Sequence, residues 1–122
     1  MMDEKISSLE KILRNLLKYP EVMYASIVSV EGLPIISILP KKMEELKMAV
    51  ITATFLSLAE RSIVEMRNGK FNYLVISGKK GPVFIFQAGK NAVLTLSTKK
   101  DAKIGLILLE AQKAIDRIKE LI

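Results

Sequence analysis

The segment from Met43 to Arg67 contains neither glycine nor proline, and its spacing predicts a long helix that is apolar on two nearly opposite sides. A helix that is hydrophobic on two sides has to bury both, and a β-sheet can cover only one of them. A second copy of the chain is the predicted cover for the other side, since closed two-fold dimers are the commonest assembly. Loops or terminal helices wrapped around the segment are the alternative. One side carries Leu46, Ala49, Val50, Ala53, Leu56 and Val64, and the other carries Met48, Ile51, Phe55, Leu58, Ala59 and Met66.

The composition limits the chemistry that the chain can perform. Its 122 residues fit a single domain over 1–122, and an apolar fraction of 50% excludes a disordered chain. There is no cysteine and no histidine, so a disulfide framework, a thiol nucleophile, an imidazole base and the usual zinc or haem ligands are all missing. We therefore expect no enzyme activity, no metal site and no cofactor.

The charge balance is basic, with 19 Lys and Arg against 13 Asp and Glu, which permits anionic partners. Usage that is rich in lysine and isoleucine and free of cysteine suggests a thermophilic prokaryote. No stretch reaches the ~18 apolar residues that cross a bilayer, and the N-terminus lacks a signal-peptide core. A cytoplasmic location is predicted. Nucleic acid is not an expected partner, because neither a recognition helix nor an aromatic stacking pattern is present.

Two strands are predicted before the long helix, joined by a two-residue turn at Glu31-Gly32. Pro34 lacks the N–H of a strand ladder and favours a sheet edge for the second strand. Asn68-Gly69 is predicted to end the long helix, and Thr98 with Asp101 resembles a capping box for the last one. The elements follow the order α-β-β-α-β-β-β-α: an amphipathic helix over 3–18, strands over 22–30 and 33–39, the long helix over 43–67, strands over 71–77, 82–88 and 92–97, and a final amphipathic helix.

The strand over 71–77 carries almost no charge, so a free position at a sheet edge would make it an aggregation hazard. Pairing with its own symmetry copy removes the hazard and agrees with a dimer built on the long helix. The predicted dimer interface is Met48, Ile51, Phe55, Leu58, Ser62, Met66, Phe71, Tyr73 and Val75.

No phosphate-binding motif is identified in this sequence. Gly78-Lys79-Lys80-Gly81 lacks the Ser or Thr of a phosphate loop and lies between two strands, so we interpret it as a hairpin turn. Arg61 lies in a helical charge strip and is interpreted as a solvated or salt-bridging residue rather than an arginine finger. Glu44 and Glu45 are adjacent, so their side chains diverge around the helix axis. We interpret them as favourable negative charges in the first helical turn rather than as an acid–base pair.

Three stretches in this order resemble the Roadblock (dynein light-chain type) family. They are the hairpin with Glu31, Gly32, Leu33 and Pro34, the long helix rich in small residues and followed by a strand, and the start of the last helix around Gly105. The resemblance implies an α+β fold, Roadblock- and profilin-like. A single five-stranded antiparallel sheet has the long helix on one face and the terminal helices on the other. It also implies a homodimer through the long helix and the third strand, and binding to Ras-like small GTPases.

The strand order of that family, two-one-five-four-three, places six lysines at one end of the sheet: Lys41, Lys42, Lys79, Lys80, Lys99 and Lys100. We name these six residues the basic rim. It suits an acidic protein face or anionic lipid headgroups, the latter as a peripheral membrane contact. Ordinary solubilising turn lysines are the alternative.

These observations favour a homodimeric module that binds a Ras-like GTPase and biases its switch conformation. A passive dimeric adaptor of a larger assembly is one alternative. A small-molecule sensor domain is another, although such a domain requires a sizeable pocket with convergent polar groups.

Overall fold

The computed structural model describes residues 2–122, with side chains from Glu4 onward. Five antiparallel strands form one sheet in the order β2-β1-β5-β4-β3, as the resemblance implied. The prediction of the α-β-β-α-β-β-β-α element order is confirmed. The elements are α1 (Met2–Leu17), β1 (Val22–Ser29), β2 (Pro34–Ile38), α2 (Glu45–Glu65), β3 (Tyr73–Gly78), β4 (Gly81–Ala88), β5 (Ala92–Thr98) and α3 (Ile104–Leu121).

The terminal helices α1 and α3 pack against each other and cover one face of the sheet. Their apolar stripes, which include Leu13 and Ile118, meet every second residue of the central strands, because strand side chains alternate between faces. The strand residues on this face include Ala25, Ile27, Phe84, Phe86, Leu94 and Leu96, all of them buried. Most of the hydrophobic core therefore lies between the sheet and the terminal helices.

Helix α2 covers the other face through a narrow line of residues. Ala49, Thr52, Ala53 and Leu56 are its buried positions, spaced three and four apart as one side of a helix requires. The sheet meets them with a small cluster that includes Val28, Ile85 and Val93. The prediction that the long helix and the terminal helices lie on opposite faces is confirmed.

The connection between β1 and β2 is longer than the predicted two-residue turn. Val28 pairs with Pro34, and a bulge shifts the register between Ile27 and Val28. Ser29 closes the turn, because its N–H donates to the Leu33 carbonyl at 2.7 Å and its Oγ accepts from the Leu33 N–H at 3.0 Å. Gly32 adopts φ +96°, a conformation that favours glycine. Strand β2 lies at the sheet edge, as Pro34 predicted.

Helix α2 ends earlier than Asn68-Gly69, so the predicted stop is displaced. Arg67 takes the left-handed position at φ 58°. The Asn68 N–H donates to the Ile63 carbonyl at 3.1 Å and the Arg67 N–H to the Val64 carbonyl at 3.0 Å, which is the Schellman pattern. An arginine therefore holds the position at which glycine is usual.

The predicted capping box at the start of the last helix is wrong. Thr98 is the final residue of β5, and its Oγ1 donates to the Lys99 carbonyl at 3.2 Å. Lys103 is the residue that precedes α3, and its side chain makes no capping hydrogen bond. A turn at Lys99–Ala102, closed by a 3.2 Å bond from the Ala102 N–H to the Lys99 carbonyl, separates the strand from the helix.

Candidate interaction surfaces

The outward side of α2 is apolar and open to solvent. Val50, Ile51, Phe55 and Leu58, which we name the outer patch, are 58%, 39%, 40% and 61% exposed. With Thr54 they line a shallow groove of about 240 Å³. Clustered apolar side chains on a protein surface mark interaction sites far more often than isolated ones do. Leu46, Val64 and Met66 are also exposed and lie towards the two ends of the helix.

The predicted division of α2 into two apolar sides agrees with the structure only in part. Ala49, Ala53 and Leu56 face the sheet as predicted, whereas Leu46, Val50 and Val64 of the same side are exposed. The contact line is set by the small residues, because a helix approaches a sheet most closely where its side chains are short. The spacing of Ala49 and Ala53 is the signal that indicates this line. Thr52, which lies beside it, is buried although the apolar pattern left it out.

The remaining predicted interface residues occupy several environments. Met48, Ser62 and Phe71 are half-buried, and the Ser62 hydroxyl donates to the Leu58 carbonyl at 2.7 Å. Met66 follows the last residue of α2 and is exposed. Ser62 is therefore engaged with its own helix, and Met66 extends the exposed apolar surface beyond the outer patch.

Tyr73 and Val75 lie on the opposite face of the sheet from α2. They pair with Phe86 and Phe84, which belong to the core beneath the terminal helices, and the Tyr73 and Phe86 ring centroids are 5.8 Å apart. The β3 residues on the α2 face are Leu74 and Ile76. A one-residue difference in strand phase moves a side chain to the other face, and the sequence pattern of β3 does not show which phase applies.

Strand β3 is the last strand of the sheet, and no described strand pairs with its outer edge. Val75 and Ile76 are exposed there. Its neighbour β4 has its other side paired with β5, so only β3 presents unpaired backbone groups on this flank. Such an edge is a template for another strand.

The lysines of the basic rim lie at one end of the sheet, as the strand order implied. The Lys99 N–H donates to the Glu21 carbonyl at 2.8 Å, which joins the end of β5 to the start of β1. A Cβ added at Gly81 would overlap the Thr98 carbonyl, so the β3–β4 turn lies directly against the end of β5. Ile38 pairs with Ala25, and the chain after β2 therefore leaves at the same end.

All six lysines are exposed, and none forms an ion pair with another residue of the described chain. The ion pairs found, Arg14–Glu10 at 3.1 Å and Lys113–Glu110 at 3.3 Å, lie within the terminal helices. No carboxylate among the residues with described side chains therefore neutralises the basic rim by a direct ion pair.

The phosphate-loop-like stretch is a hairpin turn, as interpreted from the sequence. Gly78 pairs with Gly81, and Lys79-Lys80 form the tip between β3 and β4. Arg61 is exposed and borders a groove between α2 and the β1–β2 turn, beside Glu31. Within the hairpin motif, Gly32 is buried against α2, Glu31 and Leu33 are exposed, and Pro34 is half-buried.

Tyr19 lies two residues after the end of α1, near Glu110 of α3. A hydrogen bond to the Glu110 carboxylate, followed by partial desolvation and the charges of Glu110 and Glu21, raises the pKa of Tyr19 above its ordinary value. Tyr19 and Glu110 border an open groove of about 420 Å³ between α1 and α3. Another open groove, of about 470 Å³, lies between α3 and the β3–β4 side of the sheet. No helix among the described residues is long and apolar enough to traverse a bilayer.

Solved structures share this architecture at low sequence identity. Myxococcus xanthus MglB is 18% identical with a TM-score of 0.86, covering 95% of this chain and 88% of that chain. The gliding protein MglB of Thermus thermophilus is 17% identical with a TM-score of 0.84, covering 96% and 90%. Acanthamoeba castellanii profilin II is more distant, at 14% identity and a TM-score of 0.58 over 85% and 90%. The profilin-like fold prediction is confirmed.

No curated protein sequence matches the chain. A protein-family model does match it: the Roadblock/LC7 domain model covers residues 8–98, from the middle of α1 to the end of β5. That range contains the hairpin motif, all of α2 and the whole sheet. The chain therefore belongs to the Roadblock/LC7 domain family.

Proposed function

We propose that this protein is a homodimeric, non-enzymatic regulator or scaffold that binds a Ras-like small GTPase and biases its switch conformation. The observation that carries the proposal is the exposed apolar outer patch of α2, and the free edge of β3 is a second feature that supports it. The two features supply what a self-complementary interface needs, namely an apolar centre and a row of backbone hydrogen-bonding groups.

The size of the exposed surface supports self-association. Helix α2 has 21 residues and is about 30 Å long, so two copies side by side form an extended contact. A stable interface buries roughly 800 Å² on each partner, and one helix face plus one strand edge is of that order. A two-fold axis beside β3 pairs the strand with its copy and brings the two outer patches to one side of the joined sheet.

The GTPase partner is the expectation for the family, and the chemistry of the chain fits a binding role. Without histidine or cysteine it lacks the usual bases and nucleophiles, so its effect on the partner comes from differential contact with the switch conformations. Arg61 is the arginine nearest the outer patch and borders the groove beside Glu31. Dimerisation precedes partner binding in this proposal, because it creates the continuous surface.

Self-association is tested with Phe55→Glu, which places a charge at the centre of the outer patch. The matched control is Leu109→Glu on α3, since Leu109 is an exposed apolar residue away from the outer patch. We expect the first variant to be monomeric, with dimer affinity lowered by more than about 30-fold, and the control to remain dimeric. Sedimentation equilibrium measures the dissociation constant, and circular dichroism verifies the fold. A wild-type chain that is monomeric at micromolar concentration contradicts the dimer.

GTPase binding is tested separately with small GTPases from the same cell. Single-turnover GTP hydrolysis and nucleotide exchange are measured with wild-type protein and with Phe55→Glu. We expect a change in one of these rates with the wild type and none with the variant. Dimers that leave hydrolysis, exchange and binding unchanged for every such GTPase refute the regulator. A stable scaffold partner recovered in place of a GTPase then selects the passive adaptor.

A further inference from the structure

The end of the sheet that carries the basic rim also carries exposed apolar side chains. Met23, the second residue of β1, is 56% exposed, and Ile104, the first residue of α3, is 55% exposed. Met23 lies where the β1–β5 register shifts between Val22 and Tyr24, and such irregularities re-aim a side chain out of the sheet. Ile104 follows the Lys99–Ala102 turn directly. Apolar and cationic groups are thus interspersed on one surface.

The charges on this surface are mainly positive. Lys103 lies just beyond the basic rim and is also exposed, which brings the lysines there to seven. The carboxylates at this end are Glu21, before β1, Asp101, in the turn after β5, and Glu44 and Glu45, at the start of α2. The lysines outnumber them, so the surface attracts anions.

The type of cation indicates the kind of anionic partner. The basic rim and Lys103 contain no arginine. Arg14 lies in the last turn of α1, which leads towards this end of the sheet, and is paired with Glu10 at 3.1 Å. The other arginines lie in or just after α2 and in α3, namely Arg61, Arg67 and Arg117. Planar, bidentate recognition of a particular carboxylate or phosphate uses arginine, whereas lysine acts as a mobile point charge. A surface with lysines alone is suited to a diffuse layer of negative charge rather than to a structured acidic site.

We propose that the basic rim, together with Met23 and Ile104, docks the protein on an anionic lipid bilayer. The lysines are attracted by the surface potential of acidic headgroups, and the two apolar side chains enter the boundary between headgroups and acyl chains. The contact is peripheral. Every residue involved belongs to one chain and lies outside the outer patch, so the inference stands whether or not the proposed GTPase function does.

The electrostatic part is tested by sedimentation with vesicles of phosphatidylcholine, with and without phosphatidylglycerol. Lys99→Gln combined with Lys100→Gln removes two charges from the basic rim. Lys70→Gln combined with Lys90→Gln removes two exposed lysines from loops at the other end of the sheet. We expect wild-type binding only to the anionic vesicles, a loss of roughly tenfold or more in the first variant, and less than about threefold in the control. Binding also weakens as salt is raised.

The apolar part separates a membrane from an acidic protein surface. Ile104→Ser is compared with Leu109→Ser, because both residues are 55% exposed on α3 and only Ile104 adjoins the basic rim. We expect Ile104→Ser to weaken vesicle binding by roughly fivefold, and Leu109→Ser to leave it unchanged. Poly-glutamate is the competing ligand. Absence of binding to anionic vesicles, equal loss in both lysine pairs, or preference for poly-glutamate over vesicles each overturns the proposal.

Discussion

The two faces of the sheet are covered in different ways. On the terminal-helix face, large aliphatic and aromatic side chains interlock with two helices, and most of them are fully buried. On the α2 face, the buried cluster consists of Val28, Ala49, Leu56, Ile85 and Val93. Apart from Leu56, most of the larger apolar side chains of α2 are exposed instead. The terminal helices are thus held by contacts within the chain, whereas α2 leaves much of its apolar surface exposed.

The two faces of the sheet also differ in the polarity of their buried side chains. Ser26 pairs with Ser37 on one side and with Thr95 on the other, which places a row of hydroxyls under α2. The Ser37 and Thr95 hydroxyls have no hydrogen-bond partner among the described residues, and burying such a group lowers stability. The small core and the unsatisfied hydroxyls both weaken the packing of α2 on the sheet. A partner bound to the outer patch would therefore stabilise α2 more than a bound partner would stabilise α1 or α3.

The comparison is tested most strongly by matched leucine truncations. Leu94→Ala creates a cavity under the terminal helices, and we expect it to lower the free energy of unfolding by about 4 kcal/mol, since the crowded core cannot close around it. Leu56→Ala on α2 is expected to cost only about 2 to 3 kcal/mol, because the helix can move towards the sheet. Urea unfolding at one low protein concentration measures both. Equal losses contradict the difference between the two faces.

The polar layer is tested with Thr95→Val, which removes an unpartnered hydroxyl at nearly constant shape. We expect a gain of about 1 kcal/mol in the free energy of unfolding, because no hydrogen bond is lost. Thr98→Val is the control. Its hydroxyl donates to the Lys99 carbonyl, so that substitution is expected to lower stability by about 1 kcal/mol. Destabilisation by Thr95→Val would show that its hydroxyl is hydrogen-bonded in solution.

The smallest expected effect concerns the terminal-helix face and depends on pH. The pKa of Tyr19 is raised in the folded state, chiefly by the hydrogen bond to Glu110, so the native protein holds this proton more tightly than the unfolded chain does. The resulting stability is complete below the ordinary pKa of 10.0 and is lost as pH rises through the raised value. Tyr19→Phe removes this contribution. The difference between the unfolding free energies of wild type and variant should shrink in alkaline solution, and a constant difference argues against the coupling.

Hydrophobic periodicity and turn residues predicted the elements, because burial acts on patterns that a sequence shows directly. The use of both sheet faces was implied by the family resemblance. The strand order came from the family resemblance rather than from the residues. Tyr73 and Val75 illustrate what local patterns leave open, since an apolar strand does not reveal its phase. Arg67 is a second feature that local patterns do not reveal. The Schellman hydrogen bonds fix its left-handed conformation, which an arginine does not favour by itself.

The candidate surfaces were predictable to different degrees. The lysines of the basic rim lie in turns, whose positions follow from the strand boundaries, so their grouping needed only the topology. Met23 was not predictable, because its exposure comes from a register shift in β1 that leaves no mark in the sequence. The exposure of Val50 depends on the alanines that set the contact line of α2 on the sheet.

The two edges of the sheet differ in their ability to accept an added strand. At β2, Pro34 and the bulge interrupt the regular spacing that an added strand would need, whereas β3 is uninterrupted over Tyr73–Gly78. A molecule with two receptive edges can join others head to tail without end and form fibres. With one receptive edge, growth by strand addition stops after a single pairing.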